Sequence, residues 1–329
     1  MVFSPNTPEP LREQLCEIFG INGAENAGKE ILLKAVATAI PAYPMACFKF
    51  LAAVCKDING DLARFWWKNG DDGSKIHWKS WASLCNPKEE GGLGFRDFMS
   101  FNTALLTKQC WRILQNPNAG WVQILKARYY PDCDFSQAKK GARASWAWAS
   151  LLEGRDALIK DSRCQIFNGA NTWKDSWLLP PHEGIINVSQ LISPSAPQQV
   201  CEIMDKVNHS WRVDLIDSYV SRETIDIIRC CPIGNSDGCD RRVWPWTSNG
   251  DYTVKSGYRR IHAQNRIREG ERGSTSHVVQ KEVWQSIWKI VPLPKIRVFL
   301  WRLLNDAIST RWNLFKRKIV NSPLCPICG

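Results

Sequence analysis

Two cysteines close to the last residue have the spacing of a metal-binding turn. Cys325 and Cys328 enclose Pro326, and Gly329 follows them. The proline and the glycine favour a tight turn in which both thiolates face one metal ion, as in a zinc knuckle. A structural zinc ion takes four ligands, and this turn supplies two. The pair therefore predicts half of a zinc site, in which zinc is not firmly bound.

Carboxylates and histidines offer no comparable arrangement. A template-directed polymerase needs clustered carboxylates that hold two metal ions, and the nearest candidates are Asp132 and Asp134. Pro131 precedes them and breaks any strand, so this segment favours a turn. The five histidines are isolated, without a partner at the spacing of a zinc site. The sequence predicts no catalytic residues and no enzymatic activity.

The positive charge of the chain is concentrated in its last quarter. Residues 1–240 carry 26 Lys and Arg against 27 Asp and Glu, whereas residues 241–329 carry 17 against 5. A concentrated positive field attracts polyanions, nucleic acid above all, although a solvated basic surface without a partner has the same composition. We therefore expect weak nucleic-acid binding there. The candidate residues are Arg297, Arg302, Arg311, Lys316, Arg317 and Lys318.

Apolar periodicity predicts a mainly α fold with small β elements (α+β). In the strongest helix, apolar residues from Phe98 to Leu114 recur at spacings of three and four. A basic amphipathic helix is expected over Lys295–Asp306, and a short helix over Thr310–Arg317. In the basic helix, the residues expected to face inward are Ile296, Phe299, Leu300, Leu303 and Leu304.

Two short β elements and a linker are also expected. Alternation over Lys75–Trp78 predicts a strand, and Asn249-Gly250 predicts a hairpin turn that leads into Tyr252–Val254. The stretch Ala263–Gln280 is polar and charged, which favours a mobile loop or linker.

Glycine and tryptophan each leave two interpretations open. Glu89–Phe95 is rich in glycine, but it lacks the Lys-Ser/Thr pair of a phosphate-binding loop, so a plain turn is favoured. The chain has 17 Trp, a residue that typically contributes large buried area. A set in the middle of the chain could form a partner surface, although core packing is favoured. This set comprises Trp173, Trp177, Trp244 and Trp246.

Several stretches together resemble plant LINE-type (non-LTR) retrotransposon polyproteins. They follow one another in the order of that family and cover nearly the whole chain, and the last two resemble the reverse-transcriptase zinc-binding domain. The stretches are Ala27–Val36, Ala39–Tyr43, Phe65–Trp67, Ile76–Trp78, Pro87–Asp97, Phe101–Gln109, Lys126–Pro131, Gly250–Tyr258, Lys295–Arg302 and Cys325–Gly329.

The resemblance implies three regions: a helical thumb-like region over 1–130, a mixed connecting region over 131–240, and a basic, truncated zinc-binding domain over 241–329. In the family, the catalytic Tyr-x-Asp-Asp strand lies before this part. The zinc domain also continues past C-x-x-C to a His and another Cys. Cys325 and Cys328 then become ancestral zinc ligands of a domain cut through its middle.

These observations predict a non-catalytic remnant of a reverse transcriptase that binds RNA or DNA weakly through backbone contacts. The alternatives are a domesticated protein-interaction scaffold, whose protein partner the sequence does not identify, and a piece of a longer active RNA-directed DNA polymerase. The most apolar run, Ile31–Phe48, contains Lys34, Pro41 and Pro44, so no membrane span is expected. We expect an intracellular protein, nuclear or cytoplasmic and not secreted, because the start lacks a signal-peptide pattern.

Overall fold

A computed structural model of the chain describes residues 26–68, 76–168, 176–178, 197, 199–205, 208–234, 238, 240–268, 279–289 and 294–324. Over these residues the chain is mainly helical with short strands, which confirms the predicted fold class. None of the helices described is long and apolar enough to cross a membrane. The α-helices are α1 Asn26–Ile31, α2 Ala42–Cys47, α3 Ala52–Trp67, α4 Trp81–Cys85, α5 Phe98–Gln115, α6 Gly120–Tyr129, α7 Trp146–Asp161, α8 Arg222–Cys230, α9 Val254–Arg268, α10 Lys281–Lys289, α11 Pro294–Leu304 and α12 Arg311–Lys316.

Contacts divide the chain into two compact units. The first takes the described residues of 1–45, 50–102 and 266–329, and the second takes those of 46–49 and 103–265. This division differs from the three regions expected from the sequence, whose boundaries at 130 and 240 stay a prediction.

The first unit is built around tryptophans. Trp66 and Trp67, at the end of α3, are buried together with Trp284 of α10 and Trp301 of α11. The rings of Trp67 and Trp301 are stacked, with their centroids 6.5 Å apart. Each tryptophan buries a large apolar area, so four of them supply much of the core of this unit.

The glycine-rich segment is a turn, as predicted, and two of these tryptophans pack against it. Gly91 has a φ of 82°, and a Cβ atom placed on it would lie 2.9 Å from Cζ2 of Trp284. Its carbonyl accepts hydrogen bonds from the indole N–H of Trp301 at 2.8 Å and from the Asn305 amide at 3.1 Å. The turn therefore fixes the positions of α10 and α11.

The second unit contains two hydrophobic clusters. In the larger one, α5 crosses α7 so closely that a Cβ atom on Gly154 would lie 2.7 Å from the backbone carbonyl carbon of Leu106. Tyr252 is buried in this cluster, and its hydroxyl donates to the carbonyl of Ala104 at 3.0 Å. The smaller cluster contains Trp177 and includes residues of α8. Trp177 and Trp244 are thus core residues, as favoured from the sequence. Trp246 is 38% exposed, so core packing was wrong for it, and Trp173 lies outside the described residues.

The strands described in the second unit are β1 Arg163–Gln165, β2 Met204–Asp205, β3 Ser210–Trp211 and β4 Arg241–Val243. They form two small antiparallel pairs, in which β1 pairs with β4 and β2 pairs with β3. Residue 164 of β1 stands opposite residue 242 of β4, and residue 204 of β2 opposite residue 211 of β3.

Both predictions of β structure were wrong, because neither segment forms a strand among the residues that the structure describes. Residues 76–78 form no strand, and residue 75 lies outside the described residues. Gly250 does form a turn, with its carbonyl accepting from the Trp244 N–H at 2.7 Å, but no strand follows it. The Thr253 hydroxyl instead accepts from the Ser256 N–H at 3.1 Å and starts α9. The alternation of Tyr252–Val254 therefore marks a buried residue followed by a helix cap.

The predicted linker is helical in its first part. Helix α9 continues to Arg268, so residues 263–268 are helical rather than a loop. Gln280 immediately precedes α10, and residues 269–278 lie outside the described part of the chain. Residues 263–268 are exposed or half-buried, so the polar side chains among them belong to an exposed helix end.

Candidate nucleic-acid interface

The candidate interface is centred on α12, a short helix fixed at its start by side chains. The Thr310 hydroxyl accepts a hydrogen bond from the Asn313 N–H at 3.2 Å, the usual bond of a helix N-cap. The side chain of Asn313 is buried, and its amide donates to Oδ1 of Asp306 at 2.7 Å and to the carbonyl of Ile308 at 3.1 Å. These bonds hold α12 against the segment that follows α11.

Four of the six predicted cations lie on α12 and the turn after it. Arg311, Lys316 and Lys318 are exposed, and Lys318 has a φ of 58°. The Nε of Arg311 donates to the carbonyl of Ser322 at 3.2 Å. Lys316 lies 4.0 Å from the Asp306 carboxylate, and because both side chains are more than half exposed this ion pair is weak.

Arg317 is engaged with protein groups although its side chain is exposed. Its two terminal nitrogens donate to the carbonyls of His77 and Trp78, each at 3.0 Å. The guanidinium carbon also lies 4.9 Å from the centre of the Trp78 ring, within cation–π range. Arg317 therefore joins the end of α12 to residues 77 and 78 of the same unit.

The other two predicted cations, Arg297 and Arg302, lie on α11 and are partly buried. The Arg302 guanidinium lies 5.7 Å from the centre of the Trp67 ring. Burial lowers the pKa of Arg302, although a guanidinium stays protonated in proteins. Burial also lowers the pKa of Lys29, and the charge of Arg302 lowers it further. Arg302 thus faces the interior of the first unit.

The orientation of α11 differs from the one expected. Val298 and Trp301 are buried, whereas Ile296, Phe299 and Leu303 are exposed, so the inward placement predicted for these three was wrong. Leu300 and Leu304 pack against the edge of the core, as predicted. Apolar residues occupy most sides of this helix. Its buried side is the one on which Trp301 stacks on Trp67 and donates its indole N–H to the carbonyl of Gly91.

Sequence reasoning missed two exposed aromatic residues on α12. The side chain of Trp312 is 53% exposed and that of Phe315 is 38% exposed. Their rings are stacked with centroids 6.2 Å apart, and the ammonium of Lys316 lies 5.4 Å from the centre of the Trp312 ring. Their spacing of three residues within a basic segment was the available signal.

The remaining predicted site residues are two cysteines and two aspartates. Cys325 and Cys328 lie outside the described residues. Within the described ranges, no group of three or more His, Cys, Asp or Glu side chains could hold a metal ion, so these residues do not supply a zinc site. Asp132 and Asp134 are exposed in the turn after α6, as predicted.

Comparisons with known proteins place these features in a family context. Residues 252–329 match a family described as zinc-binding in reverse transcriptase. An uncharacterized mitochondrial protein of Arabidopsis thaliana is 38% identical over 144 residues, which cover 43% of this chain and 94% of that protein. A putative ribonuclease H protein of Arabidopsis thaliana is 24% identical over 312 residues, which cover 92% of this chain. The chain spans 48% of the length of this second relative.

Residues 252–329 are therefore similar in sequence to the zinc-binding region of reverse transcriptases. The chain belongs to the plant retrotransposon proteins related to reverse transcriptase. The resemblance found in the sequence is confirmed at this level, and the LINE type stays a prediction.

Proposed function

We propose that this chain is a non-catalytic reverse-transcriptase remnant that binds nucleic acid weakly and without sequence preference. The observation that carries the proposal is the set of exposed cations Arg311, Lys316 and Lys318 around α12. None of the three has a close, buried acidic partner among the described residues. Exposed cations of this kind contact backbone phosphates, which position a nucleic acid but carry no sequence information.

The other three predicted cations have a different role in this proposal. Arg317 donates to two carbonyls, and Arg297 and Arg302 are partly buried. Moving such a side chain onto a phosphate would break protein contacts or require the first unit to open. We therefore assign phosphate contact to Arg311, Lys316 and Lys318, and a structural role to Arg297, Arg302 and Arg317.

The zinc of this family enters the proposal only through Cys325 and Cys328, as ancestral ligands. Two thiolates form no closed tetrahedral site, so we expect zinc to be held weakly by this pair. The basic surface of α12 rests on its own hydrogen bonds to Asp306 and Ile308. Nucleic-acid binding is therefore expected to persist when a chelator is present.

The test is charge reversal on α12. Replacing Arg311, Lys316 and Lys318 together by Glu should weaken binding of a labelled single-stranded oligonucleotide at low salt. The negative slope of log affinity against log salt should also become shallower by about 2, because each lost phosphate contact reduces its magnitude by about 0.7. Fluorescence anisotropy over a salt series measures both quantities.

The matched control reverses three exposed cations elsewhere, Lys56, Lys126 and Arg222, and so changes the net charge by the same amount. Binding in this variant should stay close to that of the parent chain. If both variants lose affinity equally, or if the parent does not bind at low salt, the α12 surface is not a phosphate-binding site.

A further inference from the structure

Trp312 and Phe315 form an exposed aromatic pair, here called the aromatic platform. Trp66, Trp67, Trp284 and Trp301 of the same unit are buried, whereas Trp312 has 53% of its surface exposed. Ile319, in the turn that follows α12, is also exposed. Large apolar side chains grouped on a surface mark a place where another molecule binds.

The charges around the platform restrict what that molecule can be. Four cations lie within the eight residues from Arg311 to Lys318, and no acidic residue does. The ammonium of Lys316 lies 5.4 Å from the centre of the Trp312 ring. A ligand for this surface must therefore combine flat apolar faces with negative charge, and an unpaired nucleic-acid strand has both.

We infer that the aromatic platform stacks on the bases of single-stranded nucleic acid while the neighbouring cations contact its phosphates. This inference rests on the proposed function and specifies its ligand. In a duplex the base faces are stacked on one another and only their edges are accessible, so Trp312 has no face to contact. Stacking on aromatic side chains tolerates every base, which agrees with binding that does not depend on sequence.

The experiment compares three probes of equal length: a single strand, its duplex, and a strand with abasic sites in place of nucleotides. Trp312→Ala should reduce affinity for the intact single strand about tenfold, the effect of losing one stacked base. Its affinity for the duplex and the abasic strand should not change, and its salt slope should equal that of the parent. Trp312→Phe should retain most of the affinity, because it keeps an aromatic face.

The matched control is Trp146→Ala in the second unit. Trp146 is 59% exposed and its ring lies tilted against that of Phe48, with ring centroids 4.7 Å apart. The cation next to Phe48 in sequence, Lys49, lies 3.6 Å from the carboxylate of Glu153, which offsets its charge. Trp146→Ala should therefore leave binding of all three probes unchanged.

The outcomes separate this inference from the proposed function. If Trp312→Ala binds the single strand as tightly as the parent while charge reversal on α12 abolishes binding, stacking is wrong and phosphate contact stands. Equal losses for single strand and duplex also overturn stacking. If the parent binds none of the probes, both proposals are wrong. Sedimentation without nucleic acid tests a further occupant. If the parent forms a dimer and Trp312→Ala does not, the aromatic platform binds a second copy of this chain rather than nucleic acid.

Discussion

At the residue scale, Gly91 combines a left-handed backbone with close packing. Its φ is 82°, and the Trp284 ring occupies the space next to its α-carbon. Replacement by Ala should lower the free energy of unfolding by about 2–4 kcal/mol, from backbone strain together with overpacking. Urea unfolding followed by circular dichroism measures this loss.

The control for this prediction is Gly94→Ala. Gly94 has a similar φ of 68°, but a Cβ atom placed there has no neighbour within 4 Å. This substitution should cost only the backbone strain, about 1–2 kcal/mol. Equal losses for the two variants would show that the contact with Trp284 contributes nothing.

Individual residues of the site also differ in how far the sequence could predict them. Charge counting located the basic region, and Thr310 was correctly predicted at the start of the short helix. Which cations are engaged with protein groups was not predictable, because Arg317 bonds to the carbonyl of His77 and Arg302 packs on Trp67. Both partners are far from these arginines in sequence and become neighbours only in the folded unit.

At the element scale, a carboxylate links α1 to the 3₁₀-helical turn Lys88–Glu90. Glu30 accepts a hydrogen bond from Lys34 at 2.7 Å and lies 2.9 Å from the ammonium of Lys88. Burial acts to raise the pKa of Glu30, but the hydrogen bonds and charges of the two lysines outweigh it and lower the pKa below its ordinary value of 4.5. The first unit therefore gains stability from an ionised Glu30.

This gain should disappear in acid. It is fully present above about pH 4.5 and is lost as the pH falls through the lower pKa of the folded state. Burial lowers the pKa of Lys34, but Lys34 is protonated in both states at acid pH and adds no slope there. Glu30→Gln should cost on the order of 1 kcal/mol at pH 7 and flatten the acid loss of stability.

Urea unfolding at several pH values measures this effect. The matched control is Glu89→Gln, because Glu89 is exposed and lies in the Lys88–Glu90 turn that Glu30 contacts. Unchanged pH dependence in Glu30→Gln would contradict the role given to this carboxylate.

The sequence predicted the existence of helices better than their orientation. The pattern from Phe98 to Leu114 has one clear apolar face, and α5 buries residues of that face, including Phe98, Cys110 and Ile113. In α11, by contrast, apolar residues lie on most sides. Its buried side is the one that carries the hydrogen bonds of Trp301 and Asn305 to Gly91, and these long-range partners cannot be read from the periodicity.

At the scale of the whole molecule, this chain spans 48% of the length of the putative ribonuclease H protein that it matches. Its own Asp132 and Asp134 are exposed in a turn. We expect no metal-dependent extension of a primed template by the purified chain with either magnesium or manganese. The assay is incorporation of labelled nucleotides, with an active reverse transcriptase as the positive control. Extension that persists through purification and is lost in Asp132→Asn/Asp134→Asn would contradict the non-catalytic proposal.

The anchoring of α12 by Asn313 has a consequence for the thermodynamics of binding. The buried amide of Asn313 is bonded to Asp306 and Ile308, and Thr310 caps the helix, so the platform is already ordered before any strand arrives. A preordered site loses little conformational entropy when its ligand binds. Even a weak complex on this surface should therefore form without a folding step, and its association rate should be set by diffusion and charge rather than by rearrangement of the protein.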